Sequence, residues 1–257
     1  MDLFRTTAAI ATAGLLAVSA SSAALAQSDD LEQAAQYRAC MELAETAPAE
    51  ALEAAQTWAD LGGSDPARHC AAVALLRLGH YEVAGQELEA LAASLEQGFA
   101  YLQIPILVQA AQAWLDAGNV DRAYAVQTTA LARQPNNIEL LVDRAVTAAS
   151  VGNFTAAITD LDRALSHAPN RADILVLRAS AHRFLDQQEA AMTDVMAALK
   201  LAPDNPDGLL ERGILRRLKG NDAGARADWL RAARLAPETP TAAAAQANLA
   251  RLDVKVE

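Results

Sequence analysis

Aromatic residues are scarce in this chain. Phe, Trp and Tyr together make up 4% of 257 residues, while 53% of the residues are hydrophobic. A sizeable core must therefore be filled with Ala, Leu and Val, whose small side chains bring helices close together. Positive charge is also in deficit, with 21 Lys and Arg against 32 Asp and Glu and a formal net charge of −11. That balance argues against nucleic acid and anionic membrane surfaces as partners, because both are bound through a surplus of Lys and Arg. Histidine is nearly absent: His69, His80, His167 and His182 are scattered without ligand spacing. No His-Glu-x-x-His helix, phosphate-binding glycine loop or Gly-x-Ser-x-Gly elbow occurs. The expectation is a chain with no catalytic site, no cofactor and no metal. Beyond the N-terminus no apolar run is long enough to span a bilayer.

What is present begins with an export signal over residues 1–26. Arg5 supplies the positive start, an apolar stretch follows from Ala8 to Val18, and Ala24-Leu25-Ala26 forms a small-residue cleavage site ahead of Gln27. The stretch falls short of the ~20 residues a membrane span needs and is broken by Ser19, Ser21 and Ser22. Cleavage and delivery to the periplasm of a soluble chain are therefore expected, rather than an anchor. Charge along the remainder is uneven, with thirteen acidic residues against Arg38, Arg68 and Arg77 between Asp29 and Glu96, and seven basic against three acidic from Glu211 to Arg234.

Pro135, Pro169, Pro203 and Pro237 stand 34 residues apart. Leu107, Leu141, Leu175 and Leu209 keep the same step, as do Ala111, Ala145, Ala179 and Gly213, four residues further along one face of a first helix. A break follows at Gly118-Asn119, Gly152-Asn153, Asp186-Gln187 and Gly220-Asn221, where a left-handed turn can end that helix. A second helix then carries Ala123, Ala157, Ala191 and Ala225, and seven residues on Ala130, Ala164, Ala198 and Ala232. Proline closes each unit. Asn136, Asn170 and Asp204 are placed to cap the next helix. Units that recur in this way bury their apolar faces only against their neighbours.

Helix, Gly-Asn turn, alanine stripe and proline on a 34-residue period resemble the tetratricopeptide repeat (TPR). The resemblance covers Ile104 to Thr239 as four regular repeats. Upstream, Gly79, Ala84 and Leu88 fit a further copy that is lengthened near Ala93 to Gln103. Arg38-Ala39-Cys40 aligned with Arg68-His69-Cys70 gives an earlier and shorter one, with Ala54 placed over Ala84 and Trp58 over Leu88. The expected organisation is a signal peptide (1–26), degenerate repeats (27–103), regular repeats (104–239) and a capping helix with tail (240–257). The fold implied is all-α: a right-handed solenoid of antiparallel helix pairs, about six repeats long.

Two sets of residues in the pattern point to internal bonds. Arg144, Arg178 and Arg212 share a column of the first helix, and Asp160, Asp194 and Asp228 share one of the second; the remaining regular repeat has Ala110 and Val126 there. Partners that occur together and vanish together imply direct pairing, within a repeat or across a junction. Cys40 and Cys70 fall at equivalent positions of adjacent first helices, and in an oxidising compartment they are expected to form a disulfide.

The resemblance also implies that first helices line a concave groove. Its floor would be Val108, Val142, Val176 and Leu210, with Gln112, Val146, Ser180 and Ile214 four residues on and Leu115, Ala149, Arg183 and Arg217 three further, the two arginines making it basic toward the C-terminal end and Phe184 and Leu218 adding apolar area beside them. Such a groove suits a peptide with apolar anchors and a carboxylate. The leading expectation is a non-enzymatic adaptor that holds a protein or peptide through Val142, Val176, Arg183, Phe184, Leu210 and Arg217. A small-molecule or cell-wall-fragment binder, and a structural protein that self-associates weakly through its oppositely charged ends, are the alternatives.

Overall fold

The computed structural model describes residues 31–95 and 100–253. The export signal lies outside them, as do residues 96–99 within the lengthened unit. All regular structure among the described residues is helical, and no helix there is long and apolar enough to cross a membrane. The chain forms two compact units, Met1–Leu102 and Gln103–Glu257.

The first unit contains α1 (31–46), α2 (Pro48–Trp58), a π-helical turn (Ala59–Gly63), α3 (Ser64–Arg77) and α4 (Tyr81–Ser94). Cys40 on α1 and Cys70 on α3 are joined in a disulfide with their Cα atoms 6.2 Å apart. Ala55, Trp58 and Ala67 pack around it. A second cluster combines Ala44, Ala51, Val73 and Ala74. The buried face of α2 is thus Ala51, Ala55 and Trp58, whereas Ala54 is exposed. Placing Ala54 over Ala84 is corrected accordingly: α2 presents the alanine one position later, in step with Trp58 three residues on.

The second unit is built from most of α5 (Ala100–Asp116), then α6 (Val120–Arg133), α7 (Ile138–Ser150), α8 (Phe154–His167), α9 (Ala172–Phe184), α10 (Gln188–Leu201), α11 (Pro206–Leu218), α12 (Asp222–Leu235) and α13 (Pro240–Asp253). Each short connection inside a repeat is the same device. Gly118, Gly152 and Gly220 take φ of 76–78° and Asp186 takes 59°, the left-handed geometry in which a helix can turn back on its own carbonyls. The following residue donates its N–H into the preceding helix, as in Asn119 to the Trp114 carbonyl at 2.8 Å and Asn153 to Ala148 at 2.9 Å. Its side chain then starts the next helix, with Asn119, Asn153 and Asn221 accepting from the N–H of Arg122, Ala156 and Gly224.

Between repeats the caps fall one residue later than expected. Asn137 and Asn205 accept from Leu140 and Gly208, and at the junction between these two Arg171 occupies the position without capping. Asn136 and Asp204 instead bond Arg163 and Arg231 across the repeat. The proline turn needs one more extended residue before helical geometry resumes, and that residue, not the one beside proline, faces the free N–H groups.

The alanine stripe is the seam of each pair: Ala123, Ala157, Ala191 and Ala225 are all at most 1% exposed. First helices also pack on one another, α7 on α9, α9 on α11 and α11 on α13. Gly213 admits Trp229 of α12, because a Cβ at that position would fall on the indole. Trp229 is fully buried in a cluster with Leu199, Leu209, Leu215 and Ala245, and each leucine so buried contributes roughly 1.5–3 kcal/mol. Helix α13 covers this end through Ala245, Leu249 and Leu252.

Candidate functional site

Arginine and aspartate columns meet inside each repeat. Arg144 grips Asp160 through Nε and Nη2 at 2.8 and 2.7 Å, Arg178 grips Asp194 at 2.8 and 2.7 Å, and Arg212 grips Asp228 at 2.9 and 2.7 Å. The aspartate side chains are only 5–8% exposed. The remaining Nη1 reaches back to the preceding repeat, to Thr128, Asp162 and Met196 in turn. Each guanidinium therefore ties its own hairpin to the previous one. These arginines are fully engaged and belong to the frame, not to a ligand site.

The face made by the first helices keeps part of the expected groove open and closes part of it. Val176 is 7% exposed and Val142 and Leu210 are half-buried, Leu210 within the core cluster around Trp229. Burial takes Val176 off the groove floor, while Val142 and Leu210 stay partly open and Val108, 38% exposed, lines a cleft between α5 and α7. From the expected column four residues on, Val146 stands open at 48% exposed, while Ser180 and Ile214 are half-buried. Arg183 does not present a free cation. Its Nε and Nη2 bond the two carboxylate oxygens of Glu211 at 2.5 and 3.3 Å, and its guanidinium lies 4.3 Å over the Phe184 ring. Burial pushes the Glu211 carboxyl above its ordinary range, and the bond from Arg183 offsets this only in part. Arg217 and Phe184 are exposed.

Two clefts open on this face. The first, of about 190 Å³, lies between α5, α6 and α7; Leu107, Leu115 and Val146 line it together with Gln127, Asp143 and Thr147. The second, also about 190 Å³, is formed by α7, α8 and α9 and has Phe154, Leu177 and Phe184 in its wall. Val146 lines both. Phe154 and Phe184 stack with ring centroids 4.5 Å apart and planes 2° from parallel, which holds an exposed aromatic at the rim of an apolar hollow. Sequence reasoning named Phe184 but missed Phe154, Gln127, Asp143 and Thr147. Gln127 was discoverable, since its column is otherwise Leu161, Val195 and Trp229.

Tandem helical hairpins stacked through first helices, with side-chain-sized clefts on the shared face, define the class: helical-repeat scaffolds of protein interaction. Residues 111–182 and 172–205 match family models of the tetratricopeptide repeat. Residues 111–205 of the chain are thus tetratricopeptide repeats. Among solved structures it is similar to the C-terminal part of a TPR repeat-containing protein from Cytophaga hutchinsonii, at 16% identity over 84% of this chain and 95% of that one with a TM-score of 0.63. It is also similar to a MamA structure from Desulfovibrio magneticus RS-1, at 19% identity over 70% of this chain and 94% of that one with a TM-score of 0.55. Identities this low speak for the fold alone. No curated protein matches the chain in sequence.

Proposed function

We propose that the chain is exported to the bacterial periplasm and acts there as a non-enzymatic adaptor, holding an extended segment of a partner protein on the face of α5, α7 and α9. The observation that carries the reading is the pair of adjoining clefts divided by Val146. At about 190 Å³ apiece each is below the roughly 300–1,000 Å³ of a typical small-molecule site, and each suits one side chain. Two such hollows in line favour a peptide with two anchors over a single small ligand. Export rests on residues 1–26, and the Cys40–Cys70 disulfide is in keeping with an oxidising compartment.

A photo-crosslinking side chain at Val146 tests the groove in cells. The expected result is a discrete protein adduct that disappears when Phe184→Asp is added while the fold, followed by circular dichroism, is retained. Absence of any adduct, or one insensitive to Phe184→Asp, overturns the groove. Alkaline phosphatase fused after Gln27 tests export separately: activity in intact cells is expected, and an inactive fusion refutes it.

A further inference from the structure

The first cleft carries a polar set that the rest of the repeat array does not. Gln127 is 5% exposed and Thr147 is 2% exposed, yet the equivalent positions hold Leu161, Val195 and Trp229 in one column and Ala113, Ala181 and Leu215 in the other. Gln127 Nε2 donates to Thr147 Oγ1 at 2.9 Å, and that hydroxyl donates its proton to the Asp143 carbonyl at 2.9 Å. The hydroxyl can then only accept from Gln127, which fixes the amide orientation and leaves Oε1 as the spare acceptor of the pair. Gln127 Oε1 is buried and has no hydrogen-bond partner among the described residues. A buried acceptor left so costs roughly 1–3 kcal/mol, where leucine would cost nothing.

Asp143, exposed at the mouth of the same cleft, has no cation paired with it among the described residues. It occupies the column of Glu211, and 28 residues before each stands the residue across the junction of first helices. For Glu211 that residue is Arg183, which pairs with it; for Asp143 it is Leu115, and both line the open cleft. Arg144, next in sequence, is held by Asp160, and Glu139 one turn away is held by Arg171. Partial burial and the Glu139 charge push the Asp143 carboxyl above its ordinary range, and a cation in the cleft would oppose both.

We infer that the cleft between α5 and α7 receives an arginine side chain of the partner peptide, which pairs with Asp143, donates to Gln127 Oε1 and occupies the place that Arg183 fills two repeats later. Its methylene stem lies against Leu107, Leu115 and Val146, and its planar head has enough donors for a carboxylate and an amide oxygen at once. The adjoining cleft at Phe154 and Phe184 takes an apolar neighbour in the same segment. The partner signature is thus one arginine beside one apolar anchor. This rests on the peptide-groove reading and names the chemistry of its ligand.

A random twelve-residue peptide library selected on the purified protein tests it. Enriched sequences are expected to fix Arg at one position next to an apolar residue. The affinity of a synthetic winner should fall tenfold or more when its Arg is replaced by citrulline or when the protein carries Asp143→Asn, and no further when both changes are combined. Leu115→Arg, which supplies the missing cation from within, should abolish binding while preserving or raising the urea midpoint. Gln127→Leu should raise stability and weaken the arginine peptide. Peptides enriched without a basic position, or binding that ignores Asp143→Asn and Leu115→Arg but is lost with Phe184→Asp, overturn the arginine site and leave the groove standing. No enrichment at all overturns both.

Discussion

Removing Arg144 should damage the fold more than removing Asp160, and removing both should do little harm. Asp160 is 3% exposed and takes two hydrogen bonds from Arg144. Arg144→Met leaves that carboxylate buried without a counter-charge, and the loss of one partner of a buried pair costs about 3–5 kcal/mol. It also ends the stacking of the guanidinium 5.4 Å from the Tyr124 ring centroid. Asp160→Leu is milder. The Arg144 side chain is 17% exposed and keeps its bond to Thr128, so its head can turn to water, at a cost of roughly 1–3 kcal/mol. The double variant replaces both charges by apolar groups, a change that is often neutral or stabilising by about 1–4 kcal/mol. The chain already contains the apolar version: Ala110 and Val126, in the same columns one repeat earlier, are 0% and 2% exposed. Urea unfolding, followed by circular dichroism and tryptophan fluorescence with coincident transitions, would measure the cycle. A coupling of about 4 kcal/mol or more is expected from these figures. Additive single effects, or a double variant as unstable as Arg144→Met alone, would refute the reasoning.

Three further outcomes follow from the geometry. Reducing the Cys40–Cys70 bond, which closes a separation of 30 residues, should cost about 3.5 kcal/mol by the chain-entropy model; proteolysis with and without reductant should show the first unit cut first, and unchanged protection would be evidence against it. Gly213→Ala should destabilise by roughly 1–3 kcal/mol through overpacking on Trp229, despite alanine's better helix propensity; an unchanged urea midpoint and tryptophan emission would contradict the fit. Glu211 has a folded-state pKa raised above its ordinary 4.5 by burial, so its stabilising contribution belongs to the protonated form, full below about 4.5 and lost as pH rises through the raised value. Glu211→Gln should therefore gain in stability relative to wild type from pH 4 to pH 8, and a relative loss over that range would reverse the assignment.

The repeat is legible because each column has a local cause. A left-handed residue must end the first helix, which Gly118, Gly152 and Gly220 satisfy, and alanine must line the seam where two helices touch. Covariation of three arginines with three aspartates marks a frame whose geometry needs only adjacency within a hairpin. The caps at Asn137 and Asn205 were misread by one position, because proline fixes where a helix stops but not how many residues the chain uses before the next begins. In the first unit α2 was misread likewise, with Ala55 rather than Ala54 on the buried face.

The sequence by itself determined the all-helical class, the period, the seams and the residue types able to pair, since these depend on neighbours along the chain. Tertiary structure alone decided which outward positions stay open. Val176 and Val146 are the same amino acid on the same kind of helix, yet one is enclosed by the next first helix and the other divides two clefts. Arg183 reads as a free cation until Glu211 is brought to it, and Asp143 reads as one more surface acid until it is found sharing an open cleft with Leu115, where its counterpart Glu211 meets an arginine. Each of these depends on how successive repeats stack, which sets the spacing between residues 28 or more positions apart and is written in no single column.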